Sequence, residues 1–361
     1  MKIYAFHLLN DYSGSPKVLM QLMKSWVKND FEVHMVTSSG RKGFLSNIEG
    51  INYHYFWYKW AENPYLRLFN LMLSQLIILS TLLFKITKKD IIYINTVLPF
   101  GAAFLGKLKG CRIIYHIHET TVKPPIFKKF LFGVAKKWAT DVIYVSKFLS
   151  EQEPFNENRT YILHNAIELE FLKEANKKRQ VKTSTSKVLM VCSLKEYKGV
   201  NEFFELAKNN SRYSFRLVLN SSKQEIDAYF YGLIRPNNLE IYDTQTNLHP
   251  FYQWADIILN LSKPDGWVET FGLTIIEAMA YGIPAIVPPV GGIIELVEEN
   301  KNGFLVDSRN TKLLHEKLNQ LLNNQDLYER MVTYSLKKIH LFSEDVFVQK
   351  NLKILKVDEL V

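Results

Sequence analysis

Apolar residues fall along this chain in two alternating rhythms. Short unbroken runs, KIYAFHLL, FEVHMVTSS, DIIYINT and RIIYHIHET, are rich in β-branched and aromatic residues and predict buried strands. Between them lie stretches with i, i+3, i+4 spacing, among them KVLMQLMKSWVKN, residues 67–86 and residues 124–137, which predict helices. INYHYFWYKWAENPY is aromatic and irregular, a loop or a strand. The polar stretch KKRQVKTSTSK at 177–187 breaks the rhythm and reads as a linker. KVLMVCSL restarts it, followed by VNEFFELAK, FRLVLN, ADIILNLS, NGFLVD and TKLLHEKLNQLLNN. Strand–helix alternation on both sides of a break predicts two α/β domains, and 361 residues suit two domains of ordinary size.

The densest chemistry lies in DGWVETFGLTIIEAMAYGIPAIVPPVGGIIE, residues 265–295. Gly272 opens a helix-compatible run, LTIIEAMAY, and Gly282 and Pro284 stop it, the glycine as a left-handed cap. AIV then reads as a short strand, and Pro288 to Gly292 as a turn into a second helix whose first turn carries Glu295. Two carboxylates frame the unit. Glu269 precedes the helix and Glu277 lies inside it among apolar neighbours. A helical interval of eight residues would separate them by roughly 12 Å at 1.5 Å per residue. The unbonded N–H groups of Gly272, Leu273 and Thr274 would then point between them at an anion. Taken singly, each glutamate could equally be an ordinary charge on a helix.

ETFGL at 269–273, EAMAYGIP at 277–284 and GGIIE at 291–295 together resemble the E-x7-E signature of glycosyltransferase family 4, a retaining group with the GT-B fold. The resemblance implies two Rossmann-like domains facing across a cleft, with a C-terminal helix crossing back to the N-terminal domain. The domains are expected at 1–176, on the acceptor side, and 188–335, which would hold the nucleotide sugar, with 336–361 returning to the first. INYHYFWYKWAENPY would line the acceptor side, though core packing explains its aromatics as well. The resemblance assigns Glu277 to the donor ribose, Glu269 to the sugar, and Phe271, Gly272, Leu273 and Thr274 to the donor site. KEYKG at 195–199 resembles the family's phosphate-binding segment with Lys198 in register, and Lys195 is the nearest second cation, because Cys192 and Ser193 replace the usual glycine and arginine. Asn220 stands where glycine is usual. In the first domain Gly14 matches a small-residue loop against the donor phosphates, and a tight turn needing positive φ explains it equally well. His118 matches the active-site histidine at a strand end. The implied catalytic set is therefore Glu269, His118 and Lys198.

Charge adds a partner. The net charge is +9, and residues 1–150 carry 20 Lys and Arg against 8 Asp and Glu, while the remainder carries 25 against 28. No zinc spacing or aromatic RNA-binding pattern accompanies the basic half, so nucleic acid is not expected. Lys128, Lys129, Lys136 and Lys137 lie among phenylalanines in a basic amphipathic segment that suits an anionic membrane face or a solvated helix. The run 68–84 lacks formal charge, but Arg67, Asn70, Ser74, Thr81 and Lys85 share one side of a helical wheel, which suits an amphipathic helix better than a span. HIHE places His116 and His118 on one strand face, yet no third ligand stands at recognisable spacing and no D-x-D occurs, so no metal or other cofactor is expected. Cys111 and Cys192 read as buried thiols of a reducing compartment. No secretory signal is evident. The expectation is a cytoplasmic hexosyltransferase, peripheral at the inner face of the membrane, acting on a nucleotide sugar and a glycan or lipid-linked acceptor in surface polysaccharide synthesis. A sugar-nucleotide epimerase and an idle scaffold of an assembly complex are the other readings.

Overall fold

The computed structural model describes residues 2–179 and 186–357. The chain divides into two compact units, 1–165 with 347–361, and 166–346.

The first unit runs β1 (Lys2–Phe6), α1 (Gly14–Lys28), β2 (Glu32–Ser38), β3 (Ile51–Phe56), α2 (Pro64–Leu82), β4 (Ile91–Asn95), α3 (Phe100–Lys109), β5 (Arg112–Ile117), α4 (Pro125–Trp138), β6 (Asp141–Tyr144), α5 (Lys147–Gln152) and β7 (Arg159–Ile162). All pairings are parallel, in the order β3-β2-β1-β4-β5-β6-β7. Strands buried on both faces explain the unbroken apolar runs: every residue of β4 is buried. The aromatic stretch supplies the edge strand β3. The order reverses between β1 and β4, and in open α/β sheets chemistry collects outside the carboxyl ends of the strands at such a point.

The second unit runs α6 (Leu169–Lys178), β8 (Lys187–Ser193), α7 (Val200–Lys208), β9 (Ser214–Asn220), α8 (Lys223–Tyr229), β10 (Leu239–Tyr242), α9 (His249–Trp254), β11 (Ile257–Leu259), α10 (Leu273–Ala280), β12 (Ala285–Val287), β13 (Gly303–Leu305), α11 (Thr311–Leu322) and α12 (Gln325–Lys338), and begins α13 (Glu344–Leu355). Its sheet is also all parallel, β10-β9-β8-β11-β12-β13, and reverses between β8 and β11. Val188, Met190, Leu217, Ile257, Ile286 and Phe304 build its core.

Several boundaries differ from the sequence reading. The first unit ends at Asn165 and not at 176, because α6 packs on α9 and α10. The Phe171 ring stacks on His249 at 4.1 Å and meets Tyr252 and Tyr281 edge-on. The segment 177–187 is only partly a break: Lys177 and Lys178 close α6, Lys187 opens β8, and 180–185 lie outside the described residues. The return to the first unit starts at Phe347 and not at 336, since α12 packs against α10 and α11. There the Trp26 indole donates to Asn351 Oδ1 at 2.7 Å, and the Arg112 guanidinium donates to the Ile354 and Leu355 carbonyls at 2.7 Å each. Arg112 also pairs with the buried Asp141 at 2.8 Å.

Helix α2 buries Asn70, Leu71, Ser74, Gln75, Ile78 and Leu82, so its inner side mixes polar and apolar residues, while Thr81 of the expected polar side is exposed. Asn70, Ser74 and Gln75 are buried, with Asn70 donating to the Lys59 carbonyl at 2.7 Å and Gln75 accepting the Gly101 N–H at 2.9 Å. Two of the four lysines of α4 are likewise engaged within the unit. Lys128 pairs with Glu153, and Lys136 lies 5.6 Å from the centre of the Phe155 ring.

Candidate functional site

In the second unit the site grows from the loops after β8 and β11. Beyond Ser193, a 3-10 turn, Glu196–Lys198, ends at Gly199, whose φ is +78°. A Cβ there would lie 2.3 Å from the Leu261 carbonyl oxygen, so only glycine lets the turn seat against the chain leaving β11. The turn presents the Lys198 ammonium, which donates to Glu269 Oε2 at 2.8 Å, with the two side chains 15% and 20% exposed. The ammonium also lies 5.9 Å from the centre of the Trp267 ring. Burial pulls the Lys198 pKa down, but Glu269 more than reverses this and leaves it above its ordinary value, so the lysine stays charged. Burial pushes the Cys192 thiol up to about 12, so it is neutral at pH 7.

The glycine pair at 291–292 clamps the Glu269 loop. Gly292 N–H donates to the Glu269 carbonyl at 2.8 Å, and Gly291, at φ +101°, approaches so closely that a Cβ would lie 2.4 Å from that oxygen. Gly292 through Glu295 form a four-residue 3-10 turn, so Glu295 closes a turn and does not open a helix. Helix α10 begins only at Leu273, with left-handed Gly272 as its cap and no side-chain cap bond. The interval between Glu269 and Glu277 is therefore not helical throughout, and the helical spacing estimate does not apply. The uncapped first turn at Leu273 and Thr274 stays suited to an anion. Phe271 is buried and meets the Phe342 ring edge-on, which gives it a packing place in the structure.

Glu277 is buried at 7% exposure and accepts a hydrogen bond from the Tyr252 hydroxyl at 2.7 Å. Burial, then the Glu277 charge, holds the Tyr252 pKa well above its ordinary value, so the phenol remains the donor. The sequence reading missed Tyr252. It stands in a six-residue helix, HPFYQW, with no motif around it, and only tertiary packing brings it to Glu277. Lys195 is exposed at the N-cap of the 3-10 turn, three residues before Lys198.

In the first unit, His118 and Glu119 follow β5, Asn95 ends β4 and His7 follows β1, on three adjacent strands. His118 Nε2 is 2.8 Å from Asn95 Oδ1, and Asn95 Nδ2 is 3.0 Å from His7 Nδ1 and donates to the Ser15 carbonyl at 3.1 Å. Because Asn95 Oδ1 can only accept, this places a proton on His118 Nε2. Gly14 is the first residue of α1, outside the left-handed region, so neither a positive φ nor a turn explains it. The His116 and His118 rings lie 4.2 Å apart, as strand alternation predicts, and His116 Nδ1 bonds the Tyr93 hydroxyl. Among the described residues no group of three or more His, Cys, Asp or Glu could hold a metal ion.

Burial pushes His7 down to about 4, His116 to about 3, and His118 well below the ordinary 6.5. Burial raises Glu119 to about 7, against the N–H groups of Val97 and His118 that its carboxylate accepts. On unfolding the histidines regain protons near pH 6.5, so their contribution to stability is intact above that pH and lost as pH falls toward 4. Glu119 has the opposite sign, favouring the folded state increasingly from pH 7 to 4.5. The melting temperature should therefore fall as pH drops from 6.5 to 4.5, and fall more steeply in Glu119→Gln. A flat profile in both proteins would show that these rings are not buried and neutral.

Residues 173–338 match the family profile described as Glycosyl transferases group 1, and residues 12–171 match the one described as Glycosyltransferase Family 4. Over 127 residues, 35% of this chain, the sequence is 32% identical to a probable sucrose-phosphate synthase of Vicia faba, of which that match spans only 12%. An uncharacterized glycosyltransferase of Haemophilus influenzae is 24% identical over 97% of this chain and 98% of its own length. The fold is similar to that of Anabaena HepE in complex with UDP and glucose, with a TM-score of 0.79 and 18% identity over 99% of this chain and 100% of that one.

Proposed function

The chain belongs to glycosyltransferase family 4 and has the GT-B fold, and from that premise we propose that it moves a hexosyl unit from a nucleotide-diphosphate sugar to a lipid-linked glycan acceptor with retention of configuration. The observation that carries the donor half is the arrangement in the second unit: a charged Lys198 paired with Glu269, the carboxylate that precedes uncapped helix α10, and a second carboxylate, Glu277, buried inside that helix. HepE holds UDP and glucose, which makes UDP-glucose the first donor to test.

In this reading the donor diphosphate draws Lys198 from Glu269, and the first turn of α10 shares its charge. Glu269, relieved of its partner, faces the positive charge that develops at the anomeric carbon. Glu277, steered by Tyr252, accepts hydrogen bonds from the ribose. The acceptor oxygen attacks the anomeric carbon on the face the nucleotide leaves. As the bond to the diphosphate breaks, the departing phosphate oxygen takes the acceptor's proton. His118, neutral and held by Asn95, is the proposed active-site histidine of the first unit, and a lipid-linked acceptor suits a cytoplasmic enzyme working at the inner face of the membrane in surface polysaccharide synthesis.

The test is nucleotide release from UDP-hexoses with and without lipid-linked acceptors. Acceptor-dependent release of UDP is expected. Epimerised sugar without an acceptor would turn the reading to an epimerase, and no binding of any sugar nucleotide in a thermal-shift screen would turn it to a scaffold. With no D-x-D in the sequence and Lys198 already charged, transfer should persist in EDTA. Complete loss, restored by Mg²⁺ or Mn²⁺, would move diphosphate neutralisation from Lys198 to a cation.

A further inference from the structure

Helix α2 buries Leu71, Ile78 and Leu82 and still carries a second apolar stripe outward. Tyr65, Phe69, Met72 and Leu76 recur at i, i+4, i+7 and i+11 and are 83%, 63%, 40% and 62% exposed. The inner side is held through Asn70 and Gln75, and a Cβ on Gly101 of α3 would lie 2.9 Å from Gln75 Cβ, so the two helices are locked closely together. The exposed stripe is therefore not a helix waiting to roll over. It continues across the neighbouring helices: α3 packs on α2 and exposes Phe104, and α4 packs on α3 and exposes Ile126.

Charge selects what covers this face. Residues 64–138 contain twelve Lys and Arg, of which Arg112 and Lys128 pair with Asp141 and Glu153, and only two acids, Asp90 and Glu119. Both acids are engaged inward: Asp90 is 4% exposed and accepts from Thr87, and Glu119 accepts from Val97 and His118. A second copy docked by a two-fold axis would set these basic surfaces against each other. An anionic lipid surface offers the complement to both features. Although α2 is long and apolar enough to cross a membrane, a third of that window is buried against the protein and Asn70 and Gln75 are bonded there. It therefore suits lying in the interface and not spanning.

We propose that the α2–α3–α4 face of the first unit is a docking surface for an anionic bilayer, with the α2 stripe set among the upper acyl chains and exposed lysines such as Lys129 and Lys137 on the headgroups. The proposal gives a location to the membrane contact in the functional reading, and it rests on that reading only for its purpose. The experiment is co-sedimentation of the full chain with phosphatidylcholine vesicles and with vesicles containing phosphatidylglycerol. Wild type should bind the anionic vesicles and keep part of that binding in high salt. Changing Phe69, Met72 and Leu76 together to serine should lower partitioning by about 100-fold or more. Lys129→Gln with Lys137→Gln should cost on the order of fivefold per lysine, at low salt only. In Phe69→Trp the added fluorescence should be quenched by brominated acyl chains, a readout that needs no loss of binding.

Wild type ignoring both kinds of vesicle, a serine variant that partitions like wild type, or an added fluorescence in Phe69→Trp that brominated chains leave unquenched would each overturn the proposal. So would concentration-dependent self-association that the serine changes abolish without any vesicle binding, which would assign the stripe to a second copy. All variants should keep the wild-type thermal shift with sugar nucleotide. If wild type shows no such shift but obeys the vesicle pattern, the donor reading fails and the docking surface stands.

Discussion

Lys198→Ala is expected to reduce transfer by about 10²–10³-fold, the loss usual when one preorganised stabiliser of developing negative charge is removed. The proposed mechanism concentrates the work on this side chain. Ser193 replaces the arginine that the family usually offers the diphosphate, and the neighbouring Cys192 thiol is neutral, so neither supplies a cation. A lysine is a point charge without arginine's bidentate fork, and in the proposed site Lys198 carries the larger part of the cationic work. Lys195 is exposed in the same turn and should cost a smaller but measurable amount when changed to alanine. Ser193→Arg should tighten UDP binding. Removing Lys198 also leaves Glu269 without its partner, so Lys198→Met, which keeps the apolar stem, and a melting curve separate lost catalysis from lost packing. Steady-state kinetics with nucleotide release is the readout. Should Lys198→Ala keep most activity while Lys195→Ala loses it, the phosphate site belongs to a different register of this loop.

What the sequence made readable here is local structure: a strand, a short turn and a left-handed glycine follow one another as their residues suggest. The same holds for the helix 273–280 and the strand 285–287, whose glycine and proline stops are printed in the sequence. Local signals fail where one element serves a distant one. The helix after 165 carries no mark that its Phe171 will stack on His249, so the sequence boundary fell eleven residues late. The polar side of 67–85 was visible on a helical wheel, but a wheel has no inside, and only the bonds to Lys59 and Gly101 orient it. Gly291 and Gly292 read as a turn, whereas their geometry shows a clamp on the Glu269 carbonyl. His7 and Asn95 sit within ordinary-looking apolar runs and join His118 only once β1, β4 and β5 lie side by side.

Tyr252 is the sharpest such omission, and it gives the Glu277 prediction its second half. A buried carboxylate that meets ribose hydroxyls makes charge-assisted hydrogen bonds, and losing such bonds costs roughly 1.5–3 kcal/mol, so Glu277→Ala should weaken donor binding about tenfold or more. Tyr252 has no proposed contact with the donor. Its hydroxyl takes up one lone pair of Glu277 Oε2 at 2.7 Å and so aims the rest of the carboxylate. Tyr252→Phe should then weaken binding by a smaller factor, about two- to tenfold for one net hydrogen bond. The two changes share one interaction and should not add: with Glu277 already alanine, Tyr252→Phe should cost nothing further in donor affinity. Calorimetric titration of UDP into the wild type, both single variants and the double variant measures all four corners. Equal affinity in wild type and Glu277→Ala would remove the glutamate from the donor site. Additive losses would mean that Tyr252 reaches the donor by a route of its own, which would make it a binding residue and not the positioner of Glu277.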